Sequence, residues 1–304
     1  MKENYMRGRK RRILLAALAL SCLLAGCSQT DQKQDTVKVD GLDQLGEIEV
    51  ISREDGSGTR STFAQLAGFV NESSDSDQTD ATTEDTVIAE SAEEVIEKVG
   101  DGNSAIGYIS MGASEAREQE KVLNIDGIEG TKENVEKGSY PLSRSFYLAH
   151  SGELNDLEQD FLTYVKGKGQ EIVEVTFVTI GKSSTFLSNQ AEGTIVIHGS
   201  TSVAPLMEEL AAEYMEINSN AEIQIEVSDS TAGLTDAMQG TCDFGMSSRE
   251  LKDYGKELLD YDMIAKDGIE VIVNQENPLE DISLEQLKNI YTGAIRKWQD
   301  LYQE

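Results

Sequence analysis

The order of apolar and polar residues predicts an α/β protein with mostly parallel sheets and flanking helices, in two domains. Three observations predict the α/β class and the two domains. Short β-branched runs alternate with amphipathic stretches from about residue 45 onward, 38% of the residues are hydrophobic, and 304 residues suit two domains better than one. In chain order, the strand EIEVIS (47–52) leads to a helix through STFAQLAGFV (61–70). The helix SAEEVIEK (91–98) leads to the strand AIGYI (105–109), and SFYLAH (145–150) to the helix NDLEQDFLTYVK (155–166). There follow TIVIH (194–198), the helix APLMEELAAEYMEI (204–217), EIQIEV (222–227), the helix GLTDAMQ (233–239), IEVIVN (269–274) and the helix LEQLKNIY (284–291). Residues 71–85 are polar and acidic and read as a surface loop, and 181–193 read as a linker.

The amino terminus reads as an address. Lys2, Arg7, Arg9, Lys10, Arg11 and Arg12 precede an apolar run from Ile13 to Ala25, shorter than the about 20 residues a membrane-spanning helix needs. The run ends in Leu24-Ala25-Gly26-Cys27, which resembles a bacterial lipobox, so residues 1–26 are expected to be a lipoprotein signal peptide and Cys27 the lipidated residue. Residues 27–44 then form a polar tether, and the protein is expected on the extracytoplasmic face of the cell membrane.

Composition excludes several functions. With 26 Lys+Arg against 56 Asp+Glu the formal net charge is -30, and no basic stripe exists beyond the first twelve residues, so a nucleic-acid partner is excluded. Three cysteines make no disulfide framework, Cys242 reads as a small buried hydrophobe, and His150 and His198 are the only histidines. No metal and no cofactor is expected.

Three clusters of small residues stand where strands hand over to helices: 52–60 (SREDGSGTR), 199–205 (GSTSVAP) and 228–233 (SDSTAG), with 243–249 (DFGMSSR) beside them. A helix N-terminus offers unpaired N–H groups and partial positive charge, hydroxyls rotate to suit a guest, and glycine allows close approach. Converging on one point, such clusters hold a small oxyanion without a metal. Arg53 is the candidate for a bidentate contact, with Asp55 to orient it. Taken singly, the same residues also suit plain helix caps, turns and a surface ion pair.

GSTSVAPL, SDSTAG, DFGMSSREL, IAKDGIEVIVN, LKNIYTGAIRKW, SREDGSGTRSTF, AIGYISMG and YPLSRSFYLAH together resemble the phosphate-binding protein of bacterial phosphate ABC transporters, across most of 45–180 and 194–304. The order differs from the family pattern: the half carrying SREDGSGTR precedes the half carrying GSTSV. Lys297-Trp298-Gln299-Asp300-Leu301 stops where Gly46-Glu47-Ile48-Glu49-Val50 would resume, which is the signature of a circular permutation joined through 181–193. The resemblance implies a circularly permuted type II periplasmic-binding-protein-like fold of two lobes, 145–272 and 45–144 with 273–304, crossing near 140–145 and 272–274, with the anion between them.

Carried over by position, the resemblance implies an anion site of Arg53, Ser57, Gly58, Thr59, Thr201, Ser202, Ser230 and Ser248, supported by Asp55 and Arg249. Some family members have Asp where Ser248 stands, accepting the proton of hydrogen phosphate and so rejecting sulfate; here Asp55 or Asp229 is the candidate acceptor. The implied partners are inorganic phosphate, the permease subunits of an ABC importer and the membrane through the lipid anchor, the protein itself being a monomer. The alternatives are another tetrahedral oxyanion such as sulfate or molybdate, a phosphate sensor, a swapped dimer that completes the site between chains, and a secreted hydrolase with Ser57 as nucleophile. The hydrolase lacks a base, because neither histidine falls in a suitable motif.

Overall fold

A computed structural model describes residues 40–70 and 80–302; the signal peptide, Cys27, most of the tether and residues 71–79 of the acidic loop lie outside the described residues. The first half runs β1 (Glu49–Arg53), α1 (Gly58–Leu66), β2 (Val87–Ala89), α2 (Ala92–Gly100), β3 (Ala105–Ser110), β4 (Glu120–Val122), β5 (Asn124–Ile125) and α3 (Lys132–Glu136). It continues with β6 (Ser143–His150), α4 (Asp156–Lys166) and α5 (Gln170–Thr176). The second half runs β7 (Gly193–Ser200), α6 (Ala204–Ile217), β8 (Ala221–Ser228), α7 (Ser230–Gln239), β9 (Phe244–Ser247), α8 (Asp253–Leu258), β10 (Asp260–Asn274), β11 (Asp281–Ile282) and α9 (Leu284–Tyr291). Short 3₁₀ turns occur at Leu42–Gln44, Met111–Ala116 and Trp298–Tyr302.

One nine-stranded sheet links the two halves in the order β2-β1-β3-β10-β6-β9-β7-β8, with β4 also on β10. The parallel pairs expected from strand–helix alternation are present at β1–β2, β1–β3, β7–β8 and β7–β9. The centre is antiparallel, because β10 pairs β3 through Ile269–Val273 and β6 through Asp260–Gly268. β10 has 15 residues, far longer than the expected 269–274. Asp260, Asp262, Lys266, Asp267 and Gly268 hide its first part, since neither charge nor glycine reads as strand.

Helices cover the sheet with their apolar faces. On one flank Phe63 of α1 stacks on Tyr108 of β3 at 4.1 Å and meets Tyr291 of α9 edge-on at 4.8 Å. On the other, Phe161 of α4 meets Tyr214 of α6 edge-on at 5.1 Å above the buried Ile195 and Ile197 of β7. Capping boxes at Asn155/Glu158 and Ser283/Gln286 fix the starts of α4 and α9.

The carboxyl end returns to where the fold begins. Glu47 bridges Lys297, the Ile48 N–H donates to Arg296 O at 2.8 Å, and the Trp298 N–H donates to Gly46 O at 3.2 Å. Trp298 is fully buried, with Nε1 donating to Ser104 O at 2.9 Å. The joining stretch 181–193 has no regular structure before β7 but is tied down: Ser188 and Asn189 donate to Asp160, and Gln190 Nε2 donates to Ile217 O.

Candidate functional site

Two helices begin earlier than periodicity suggested, and both differences lie at the site. α1 starts at Gly58, not at residue 61, because Ser57 Oγ caps it by accepting the Arg60 N–H at 3.4 Å. α7 starts at Ser230, not at residue 233, because Asp229 caps it through the Thr231 and Ala232 N–H groups at 2.7 and 2.9 Å. Gly58, Thr59 and Ser230 therefore stand in first helical turns, where N–H groups lack partners within the helix. The start of α6 follows Thr201 and Ser202 with no side-chain cap.

These starts converge. Arg53, at the end of β1 and 1% exposed, donates from Nη2 to Thr201 Oγ1 at 2.9 Å. Thr59 Oγ1 and Ser202 Oγ lie 2.8 Å apart. Ser248 and Ser230, both fully buried, lie Oγ to Oγ at 3.3 Å, and Ser200 Oγ donates to Ser248 Oγ at 2.9 Å. A Cβ built on Gly58 would stand 2.3 Å from Ser230 Oγ and 2.4 Å from Ser248 Oγ, so only glycine brings this helix start so near the two hydroxyls. A cavity of about 80 Å³ adjoins, opening on Thr201, Ser202 and Ser110.

The supporting residues differ in part from the sequence-based expectation. Glu54, not Asp55, orients Arg53, accepting from Nε at 2.8 Å and Nη2 at 2.9 Å. Asp55 is almost fully exposed and pairs with Arg60 at 2.7 Å. Arg249 is buried but turns to Thr231 Oγ1 at 3.3 Å and Glu250 O at 3.1 Å, bracing α7. Tyr108, its phenol pushed up to about 12 by burial, holds the β1 end through Ser52 Oγ at 2.8 Å and the Arg53 N–H at 3.2 Å.

Arg144 is the residue that sequence reasoning missed. From β6 it donates through Nη1 to Thr59 Oγ1 at 2.7 Å and Ser248 O at 3.3 Å, and through Nε to Asp267 at 2.7 Å. The available signal was a lone arginine leading into Phe146-Tyr147-Leu148-Ala149; Asp267, among the charges of the first part of β10, gave none of its own. Carboxylates near the cluster are already engaged: Glu54 by Arg53, Asp267 by Arg144, Ser110 and the Met111 N–H, and Asp229 by the start of α7. Guanidinia, hydroxyls and helix starts around buried small residues supply the donors that suit a compact oxyanion.

This architecture and site define a solute-binding protein, and the model of the PBP superfamily domain matches residues 16–167 and 184–304. The chain belongs to the family of phosphate-binding proteins within that superfamily: it is 35% identical over 301 residues to phosphate-binding protein PstS 2 of Streptococcus agalactiae, covering 96% of this chain and 99% of the relative. The crystal structure of a phosphate-binding protein of a phosphate ABC transporter from Streptococcus pneumoniae TIGR4 superposes with a TM-score of 0.71 at 37% identity, covering 84% of this chain and all of that one. The streptococcal match runs nearly end to end, so that relative shares this order of halves. Phosphate-binding protein PstS of Bacillus subtilis is 34% identical over 116 residues, 37% of this chain and 38% of its own.

Proposed function

We propose that the chain captures inorganic phosphate between two lobes and delivers it to the permease of an ABC importer. It is a substrate-binding component, not an enzyme. One observation carries the reading: the Arg53–Thr201 contact and the Thr59–Ser202 contact bring donors of the SREDGSGTR and GSTSV segments together in a buried place within one chain. Arg53 is the central charged contact, and Ser57, Gly58, Thr59, Thr201, Ser202, Ser230 and Ser248 complete the shell. The crossings expected near 140–145 and 272–274 we set a few residues earlier on β10, where it changes partner at Gly268/Ile269 beside the Ile269 N–H bond to Leu142 O at 2.9 Å. Bending there opens and closes the cleft. The protein acts as a monomer on the extracytoplasmic face, anchored through Cys27; among the described residues no helix is long and apolar enough to cross a membrane.

A second reading, binding of sulfate or molybdate, is favoured by Ser248, a hydroxyl at the position from which a carboxylate would accept the proton of hydrogen phosphate. Calorimetric titration with phosphate, sulfate, arsenate and molybdate tests both. Phosphate is expected to bind most tightly, and Arg53→Ala to weaken it by about 100-fold or more while the protein stays folded. Unchanged phosphate affinity in Arg53→Ala would refute the site.

A further inference from the structure

We propose that Arg144 is a second guanidinium ligand of the bound anion, contacting it through Nη2; this rests on the anion-binding reading above. The Arg144 side chain is 1% exposed, and three of its contacts are settled by Asp267, Thr59 and Ser248. Nη2 is buried with no hydrogen-bond partner among the described residues. A buried charged donor left unpaired is costly, and arginine's planar fork places Nη2 beside Nη1, which already lies on two groups of the site.

A purely structural role explains these contacts poorly. Arg144 does not grip both oxygens of Asp267 with a parallel pair of donors, the arrangement that would commit two of its N–H edges to the carboxylate. Here Nε alone reaches Asp267 Oδ2, while Oδ1 accepts from Ser110 Oγ at 3.0 Å and the Met111 N–H at 3.2 Å. The guanidinium is thus held by its Nε side and presented to the hydroxyl cluster. Burial pushes the Arg144 guanidinium down and the Asp267 carboxyl up, so the pair is an expensive way to gain stability. Its placement also repeats the logic of the first arginine: Arg53 is steadied by Glu54 and donates to Thr201, and Arg144 is steadied by Asp267 and donates to Thr59. Two guanidinia from different strands suit a dianionic tetrahedral guest.

The test is calorimetric titration of inorganic phosphate into the wild type, Arg144→Lys, the double variant Arg144→Gln/Asp267→Asn and Arg53→Ala, with the melting temperature of each measured without phosphate. The double variant removes both buried charges together, so it is expected to melt near the wild type and to bind phosphate on the order of 100-fold more weakly. Arg144→Lys keeps the charge facing Asp267 but loses the fork, and about 10-fold weakening is expected. If Arg53→Ala abolishes binding while both Arg144 variants stay within about threefold of wild type, Arg144 is a structural ion pair and the proposal is overturned. If Arg53→Ala also binds normally, the anion site itself is misplaced and the proposal falls with it. Should the double variant not fold, the affinity of Arg144→Lys alone decides between ligand and structural ion pair.

Discussion

Replacing Gly58 by alanine separates binding from folding at one atom. The added Cβ would lie 2.3 Å from Ser230 Oγ, 2.4 Å from Ser248 Oγ and 3.1 Å from Ser230 Cβ, whereas ordinary contact begins at 3.4 Å. Relief requires the start of α1 to part from α7 and β9 by about 1 Å, because Ser230 and Ser248 are fully buried and hydrogen-bonded in place. Donors on the two walls could then no longer reach one guest together, since a bond stretched by that distance passes out of hydrogen-bonding range. Losing two hydrogen bonds to a charged ligand costs about 3–6 kcal/mol, or roughly 10²–10⁴-fold in affinity. Overpacking of this kind costs about 1–3 kcal/mol, less than the roughly 5–15 kcal/mol by which a domain is stable, so the chain should stay folded without phosphate. Titration calorimetry and thermal unfolding of the same sample read both effects. Wild-type phosphate affinity in Gly58→Ala would refute the convergence of these elements on the ligand.

Two further outcomes follow from the packing. Trp298→Ala should cost about 3–5 kcal/mol, because it empties a fully buried site where the carboxyl end meets Gly46 and breaks the bond to Ser104; a change below about 1 kcal/mol in urea unfolding would show that this junction is not part of the core. Burial opposes ionisation of Asp80, but its hydrogen bonds from Arg60 and Thr82 and the Arg60 charge outweigh it and hold the carboxyl below its ordinary 3.8. The depressed value means that this pair contributes stability above pH 3.8, lost as the pH falls through the lower folded value. Asp80→Asn should therefore lose less stability than the wild type on acidification, and parallel acid limbs in denaturant titrations would count against the Arg60–Asp80 clamp.

Much of the site was legible because its residues cluster in the chain. SREDGSGTR and GSTSV each carry their own turn, cap and donors, so local order announces the chemistry. What escaped was whatever depends on pairing across the sheet. Arg144 and Asp267 are 123 positions apart and face each other only because β6 and β10 run antiparallel in that register. The beginnings of α1 and α7 escaped for a different reason: glycine, serine and threonine are poor helix formers, and Ser57 and Asp229 win those first turns by capping. Choosing between Glu54 and Asp55 as partner of Arg53 depends on which side chain faces inward just past the end of β1, a matter of one residue that composition does not settle.

The exchanged order of halves leaves the site intact because the site is made by strand ends, not by chain succession. Arg53 ends β1, and Thr201 and Ser202 follow the end of β7; the sheet fixes both whichever strand is made first. Chain order decides only which gaps must be bridged. Here the bridge is residues 181–193, anchored on Asp160 and Ile217, while the carboxyl end is left beside Gly46. Loop-closure entropy grows only as the logarithm of length, about 0.6 kcal/mol per doubling, so moving the break from one surface junction to the other changes stability far less than the buried contacts at either one. The same separation of local from global holds for charge. A chain of formal net charge -30 can hold a dianion because screening confines exposed charges to about 8 Å at physiological salt, while Arg53 and the helix starts act inside hydrogen-bonding range.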